Sequence, residues 1–161
     1  MIADYENKDR DTELSSPRQY GIAQSHKHNP EMMSVTGIKN APCFSPVVGD
    51  FFSGMQVTVP LHKSQLCEGF DLESIRNVYK SLYTDNMVTF VDSMDESGFI
   101  STNSLLGFDN MKITVVGNED RFLLIAVYDN LGKGASGAAV ECMNIALGID
   151  KTTSLQIKDV K

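Results

Sequence analysis

The sequence predicts an α+β domain with a mainly antiparallel, mixed sheet covered by helices. Three observations carry that expectation. Met111, Ile113 and Val115 alternate with Lys112, Thr114 and Val116, then Gly117-Asn118-Glu119-Asp120 turns the chain into the apolar run Arg121 to Tyr128. That is a hairpin, placed at the centre of the sheet. Leu72, Ile75, Val78, Tyr79 and Leu82 recur at helical spacing behind Asp71, an N-cap residue. The helices fall between hairpin-joined strands, without the βαβαβ alternation of a parallel sheet.

Composition sets the frame. With 161 residues, 42% hydrophobic and 22% charged, the chain can bury one proper core. Residues 1–19 are polar and read as an arm with a short helix over Met1 to Glu6; residues 20–161 read as the domain. A net charge of −7 argues against a nucleic-acid surface. No apolar run approaches the roughly 20 residues of a membrane span, and the start lacks the regions of a signal peptide. Cys43, Cys67 and Cys142 cannot all pair and form no C-x-x-C, which suits a reduced, cytoplasmic compartment.

In chain order, Tyr20 to Ala23 is expected as a short strand. Asn29-Pro30-Glu31 then opens a helix, with Asn29 as N-cap, Pro30 first and Glu31 favourable to the dipole; the helix ends near Gly37. Ala41 to Val48 reads as a strand that Pro42 and Pro46 confine to an edge or a bulge. Met55, Val57, Val59 and Leu61 alternate with Gln56, Thr58 and Pro60, a half-buried strand. The Asp71 helix ends by Thr84-Asp85-Asn86, a short strand covers Val88 to Val91, and Met94 to Leu106 is loop-like. Behind the hairpin come Asp129-Asn130, a glycine loop and a helix, Ala138 to Leu147, apolar on almost every side and so expected to be buried on several faces. Gly148 caps it, and the last dozen residues read as a tail or short strand.

Two places carry candidate chemistry. Gly132, Gly134 and Gly137 spell G-x-G-x-x-G between a strand and a helix, the grammar of an anion site. A dinucleotide domain needs further βα units, whereas the sequence continues only about a dozen residues past the helix, and Lys133 is unusual in a pyrophosphate cradle. No Gly-Lys-Ser/Thr closes a Walker loop. The competing reading is a turn that lets a helix pack closely. His26 and His28 form the second place, just before the Pro30 helix. Metal ligation would need a third ligand, and no histidine or cysteine partner stands nearby. Acid–base chemistry is open to them, since the positive end of a helix favours a neutral imidazole. A surface or capping role is the plain alternative.

Two longer segments point to a family. Gln19-Tyr20-Gly21-Ile22-Ala23-Gln24-Ser25-His26-Lys27-His28-Asn29-Pro30-Glu31-Met32 resembles the His-Arg/Lys-His-x-Pro-Glu signature of N-acetyl-gamma-glutamyl-phosphate reductases. Asp129-Asn130-Leu131-Gly132-Lys133-Gly134-Ala135-Ser136-Gly137-Ala138-Ala139-Val140, with Asn144 behind it, is similar to that family's Asp-Asn-Leu-x-Lys-Gly-Ala-x-Gly-x-Ala-Val signature. Phe44-Ser45-Pro46 matches a Phe-x-Pro element between them.

The resemblance implies the C-terminal domain fold of glyceraldehyde-3-phosphate dehydrogenase-like enzymes. It implies NADPH-dependent reduction of N-acetyl-glutamyl 5-phosphate to the semialdehyde, in arginine biosynthesis. In the family a Rossmann domain holds NADP and a Gly-Cys-Tyr/His motif carries the nucleophile. Neither pattern occurs in this sequence, so the chain is expected to be the catalytic, or dimerisation, domain, inactive alone and homo-oligomeric. By resemblance His26 is the acid–base group, and His28 is the runner-up for that role or a substrate contact. Lys27, Glu31 and Lys133 are substrate contacts. Asn130 meets the nicotinamide carboxamide, and Gly132 and Gly134 let backbone approach the cofactor. The final helix is expected to pack on the cofactor domain. The alternative from another class is a standalone binding module that holds an anionic metabolite with the histidine pair and the glycine loop.

Overall fold

The computed structural model describes residues 2–160. The chain forms two compact units, 1–52 and 53–161. The first holds a short helix α1 (Ile2–Glu6), a 3-10 turn (Thr12–Ser15), strand β1 (Arg18–Gln19), helix α2 (His28–Thr36) and strand β2 (Val47–Val48). β1 and β2 pair antiparallel. Arg10 ties this unit together: its guanidinium donates to Tyr5 O and reaches both carboxylate oxygens of Asp50.

The second unit carries strand β3 (Met55–His62), helix α3 (Leu72–Leu82), strands β4 (Val88–Phe90), β5 (Met111–Gly117) and β6 (Arg121–Tyr128), and helix α4 (Gly137–Ala146). The sheet order is β3-β6-β5-β4, with β4 parallel to β5 and the other pairs antiparallel. The expected α+β class, mixed sheet and central hairpin are all present. So is the Asp71 cap, whose carboxylate accepts from Ser74 N.

Strand periodicity divides the sheet into two faces. On one, Met55, Val57 and Val59 lie in register with Tyr128, Ala126 and Leu124, and those with Met111, Ile113 and Val115. Helix α3 covers the β5–β4 end of this face: Tyr79 meets the Phe90 ring edge-on, and Arg76 donates to Val115 O. Ile113 and Val115 are buried there. On the other face Ile125 and Val127 are buried against Met94, with Val91, Ile100 and Val116 around them.

Several local expectations change. Tyr20 to Ala23 is not a strand. Gly21 takes a left-handed φ of +64° and its carbonyl accepts from Gln24 N, which turns the chain. Asn29 does not cap α2. Its N–H already donates to His26 O, so the helix begins one residue before it, with Lys27 at the cap and Pro30 third. Pro30 fits because first-turn N–H groups have no helical partner. Of Ala41 to Val48, only Val47–Val48 pairs. β3 is an edge strand, and Met55, Val57 and Val59 are 39%, 43% and 47% exposed rather than half-buried. The apolar helix α4 is also open: Met143 and Ile145 are exposed, and within α4 only Gly137 and Asn144 are buried. The glycine loop is a five-residue π-helical turn, Gly132–Ser136, running directly into α4. The tail forms no strand; Asn110 and Asp109 pin it at Lys158 and Gln156.

Candidate functional site

The histidine segment is built in the first unit from side-chain amides. Gln24 sits at φ +56°, and its carboxamide bonds the backbone of Phe44 twice, accepting from Phe44 N and donating to Phe44 O. That pair copies a strand bridge and fixes where the Phe44 ring stands. Asn29, buried, donates from Nδ2 to Gln24 O, so the residue after the histidines holds the turn before them. The Phe44 ring then packs against both imidazoles, 5.0 Å from His26 and 6.2 Å from His28 between centroids. The two imidazoles are 4.7 Å apart, and Tyr20 lies 6.0 Å from His26.

The hydrogen bonds of the two rings differ. His26 Nδ1 accepts from His28 N at 3.3 Å, a long bond to a helix-start donor. His28 Nδ1 lies 2.7 Å from Glu31 Oε2. His26 is half-buried, whereas Lys27, His28 and Glu31 are exposed. The arrangement presents two imidazole edges on an aromatic floor, with the exposed Lys27 between them in the chain. Such a set can exchange a proton and attract an anion.

The Asp129 segment belongs to the second unit and is constructed differently. Asp129 is 2% exposed. Its carboxylate accepts from Gly107 N, Leu131 N, Gly132 N and Ser53 Oγ. Burial alone would raise its pKa, but these donors outweigh burial and hold it below the ordinary carboxylate value. Asn130 Oδ1 accepts from Gly54 N at 2.7 Å, which leaves the NH2 of that amide as its spare donor among the described residues.

The glycines of this turn face their own chain. A Cβ on Gly132 would stand 2.5 Å from Phe108 O, and one on Gly137 would overlap the Asp109 carboxylate. A Cβ on Gly134 would lie 3.1 Å from the Tyr128 ring. Lys133 Nζ is 2.5 Å from Glu141 Oε2, and both side chains are mostly buried, so its charge is neutralised within the chain. Gly132 and Gly137 therefore let the turn and the head of α4 close onto Phe108-Asp109. Asn144 continues the same joint, donating to Lys151 O and Thr153 O.

The structure thus brings His26, His28, Lys27 and Glu31 together at one helix start, and Asn130, Gly132, Lys133 and Gly134 at one strand-to-helix joint. Sequence reasoning missed Gln24 as the clamp on Phe44, and Ser53, Gly54 and Asp109 as the partners of the joint. Gln24 and Phe44 lay inside the quoted motifs, which was a signal. Gly54 offered one too, as the glycine just before β3. Ser53 and Asp109 offered none, because nothing in their neighbourhood marks a partner dozens of residues away. No group of His, Cys, Asp and Glu able to hold a metal ion occurs among the described residues. No helix among them is long and apolar enough to cross a membrane.

The geometry can be set beside known proteins. Over 153 residues the chain is 42% identical to proteins named N-acetyl-gamma-glutamyl-phosphate reductase from Rhizobium etli and Rhizobium rhizogenes, and 40% to the one from Rhizobium meliloti. Each match covers 91% of this chain and 49% of the relative. The chain therefore spans about half the length of the curated relatives it matches. The family model of the semialdehyde dehydrogenase dimerisation domain matches residues 4–130, a stretch that includes both histidines and ends at Asn130. On that match the chain belongs to the semialdehyde dehydrogenase dimerisation-domain family.

Proposed function

We propose that this chain supplies the acid–base and dimerisation half of a cytoplasmic, NADP-dependent reductase. The reaction is conversion of N-acetyl-glutamyl 5-phosphate to the 5-semialdehyde, in arginine biosynthesis, and the chain alone does not catalyse it. The observation that carries this reading is the imidazole pair seated on Phe44, with ring edges and Lys27 left accessible. A reaction that cycles through a thiol, an acyl phosphate and an aldehyde needs a proton acceptor, an oxyanion donor and a phosphate-attracting cation. His26, His28 and Lys27 are those groups. Bound NADPH supplies the hydride. Asn130 fits the carboxamide of that cofactor, because its free NH2 can donate to a carbonyl oxygen while Gly54 N holds its own oxygen still. Lys133 reaches substrate only by exchanging Glu141 for a substrate anion. Glu31 stands beside His28 and is placed to meet substrate polar groups.

The test is a hybrid in which this chain replaces the corresponding half of the Rhizobium etli relative. NADPH oxidation with N-acetyl-glutamyl phosphate is absent for the chain alone and present for the hybrid. His28→Ala then lowers kcat of the hybrid by roughly 10²-fold or more. Turnover by the chain alone, or a folded hybrid indifferent to changes at both histidines, overturns the proposal.

We also infer that the open face of β3 receives a second copy of this chain. Met55, Val57 and Val59 form an uncharged apolar row beside the half-buried Leu124, Ala126 and Tyr128. The occupant meets this face and not the strand edge, since Pro60 lacks the N–H that edge-to-edge pairing would use. A twofold axis lets the row pack on itself. Val57→Lys shifts the sedimentation of the chain from dimer to monomer; an unchanged dimer removes this face from consideration.

A further inference from the structure

We propose that Gln156 and Lys158 are positioning residues for Asn130: their grip on segment 102–110 keeps the Asn130 NH2 in place for the carboxamide oxygen of a nicotinamide. The inference deepens the reductase reading and rests on it for the ligand, but not for the clamp.

The supports of Asn130 come from elsewhere in the chain. Its side-chain oxygen accepts from Gly54 N at 2.7 Å, and its neighbour Asp129 accepts from Gly107 N at 2.6 Å. Both donors depend on one stretch. Gly107 belongs to it. Gly54 is pressed against it: φ is +129°, and a Cβ there would stand 2.8 Å from Thr102 O and from Asn103 Cα. Asp109 closes the same stretch onto the joint, because its carboxylate fills the space that a side chain on Gly137 would need. Residues 102–110 thus meet the surroundings of Asn130 at three points. Turns alone carry the chain through them, since β5 begins only at Met111. No helical or sheet ladder stiffens the stretch from within.

Gln156 and Lys158, both exposed, grip it. Asp109 N donates to Gln156 O at 2.7 Å, and Gln156 N donates to Asp109 Oδ2 at 2.9 Å. Asn110, fully buried, repeats the exchange with its amide: Nδ2 donates to Lys158 O at 2.9 Å, and Oδ1 accepts from Lys158 N at 3.1 Å. Lys158 Nζ then donates to Ser104 O at 2.9 Å and stands 5.5 Å from the centre of the Phe108 ring. Two reciprocal pairs fix a segment in the way a strand bridge does.

None of these bonds touches Asn130, so the clamp acts at one remove. A shift of 102–110 by about 1 Å along the Gly107–Asp129 bond takes that contact out of hydrogen-bond range. The same shift unseats Gly54, and the Asn130 amide is free to turn. Its NH2 then loses the fixed direction that a carbonyl oxygen must meet. β5 and β6 keep their own ladder throughout. Cofactor affinity therefore falls before the fold does.

The Asn130 NH2 can be followed by 15N relaxation in the whole chain, without cofactor. In the parent its order matches that of the β6 backbone. Lys158→Met keeps the stem but removes the bond to Ser104 O, and Gln156→Pro removes the N–H that Asp109 accepts. Each loosens the Asn130 NH2 while the amide shifts of β5 and β6 stay in place. Gln156→Ala retains that N–H and leaves Asn130 as in the parent. In the hybrid with the Rhizobium etli half, Lys158→Met raises KM for NADPH about tenfold and leaves KM for the acyl phosphate unchanged. It also narrows the preference for NADPH over its thionicotinamide analogue, whose sulfur is the poorer acceptor. A loss of stability alone would not separate the two substrates. An Asn130 NH2 already mobile in the parent, or as rigid in Lys158→Met, overturns the proposal. So does an active hybrid whose KM for NADPH is unmoved or rises together with that for the acyl phosphate. If Gln156→Pro unfolds β5 and β6, Lys158→Met decides alone. A clamp seen by relaxation with a silent parent hybrid would sink the reductase reading and leave the clamp standing.

Discussion

Residues 24–31 and residues 129–137 make equally strong patterns in the sequence, yet the structure uses them in opposite ways. In the first, Gln24 and Asn29 do the structural work with neutral amides, and Lys27, His28 and Glu31 are left exposed. In the second, Asp129 is consumed by four donors, Lys133 by Glu141, and Gly132 and Gly137 by Phe108 and Asp109. The Asn130 NH2 is a spare donor there among the described residues. The contrast teaches that a motif's length says nothing about how many of its residues are free to meet a ligand. The spelling G-x-G-x-x-G describes a joint between β6 and α4 before it describes anything bound.

If the joint is structural, its largest vulnerability is the buried carboxylate. Asp129→Asn keeps the shape but turns an NH2 toward N–H donors, leaving buried groups unsatisfied. We expect a loss of about 3 kcal/mol in urea unfolding at neutral pH. The pH dependence has a definite sign. The donors lower the folded-state pKa below the ordinary 3.8, so the stabilisation is fully present above that value. It disappears as pH falls through the folded-state pKa. The gap between parent and variant should therefore hold from neutral pH down to about 5 and close under stronger acid. A gap that stays constant into acid would remove Asp129 as the stabilising charge.

The next effect is steric. Gly132→Ala places a methyl 2.5 Å from a backbone carbonyl and 3.0 Å from Asp109 Oδ1. A backbone carbonyl cannot swing aside as a flexible side chain can. Overpacking of this kind costs about 2 kcal/mol. The loss should appear in chain that has never met a nucleotide, by thermal or urea unfolding. A fully stable Gly132→Ala variant would return that glycine to a purely cofactor-facing role and break the comparison.

Much of this was legible and the remainder has identifiable causes. The hairpin 111–128 and the Asp71 helix follow from local period and capping, and both fold as read. The helix start at 28 moved because His26 O bonds Asn29 N, a choice that also turns the Asn29 side chain inward to Gln24. Periodicity could rank Met55, Val57 and Val59 as one face but not say that the chain leaves that face uncovered. The same holds for Met143 and Ile145 on α4. The histidine pair was visible as a pair. What the sequence could not contain was the partner at each ring, because Glu31 meets Nδ1 of His28 while the His28 backbone meets Nδ1 of His26, pairings that only three-dimensional placement assigns.

The smallest stability effect is the one that separates the two regions most sharply. His28→Ala and Lys27→Ala remove exposed side chains with no buried partner, and the His28–Glu31 contact is worth little in water. Each should leave the unfolding midpoint of the chain within the error of about 0.5 kcal/mol that surface substitutions show. Asp129→Asn and Gly132→Ala fall well outside that band. A protein retains side chains that contribute nothing to its stability when they are used elsewhere, and the start of α2 concentrates three of them, Lys27, His28 and Glu31, within five residues. If His28→Ala instead destabilises the first unit as much as Asp129→Asn does the second, the imidazole is a packing group against Phe44. The case for acid–base work at that position would then fail, while the joint at Asp129 would be unaffected.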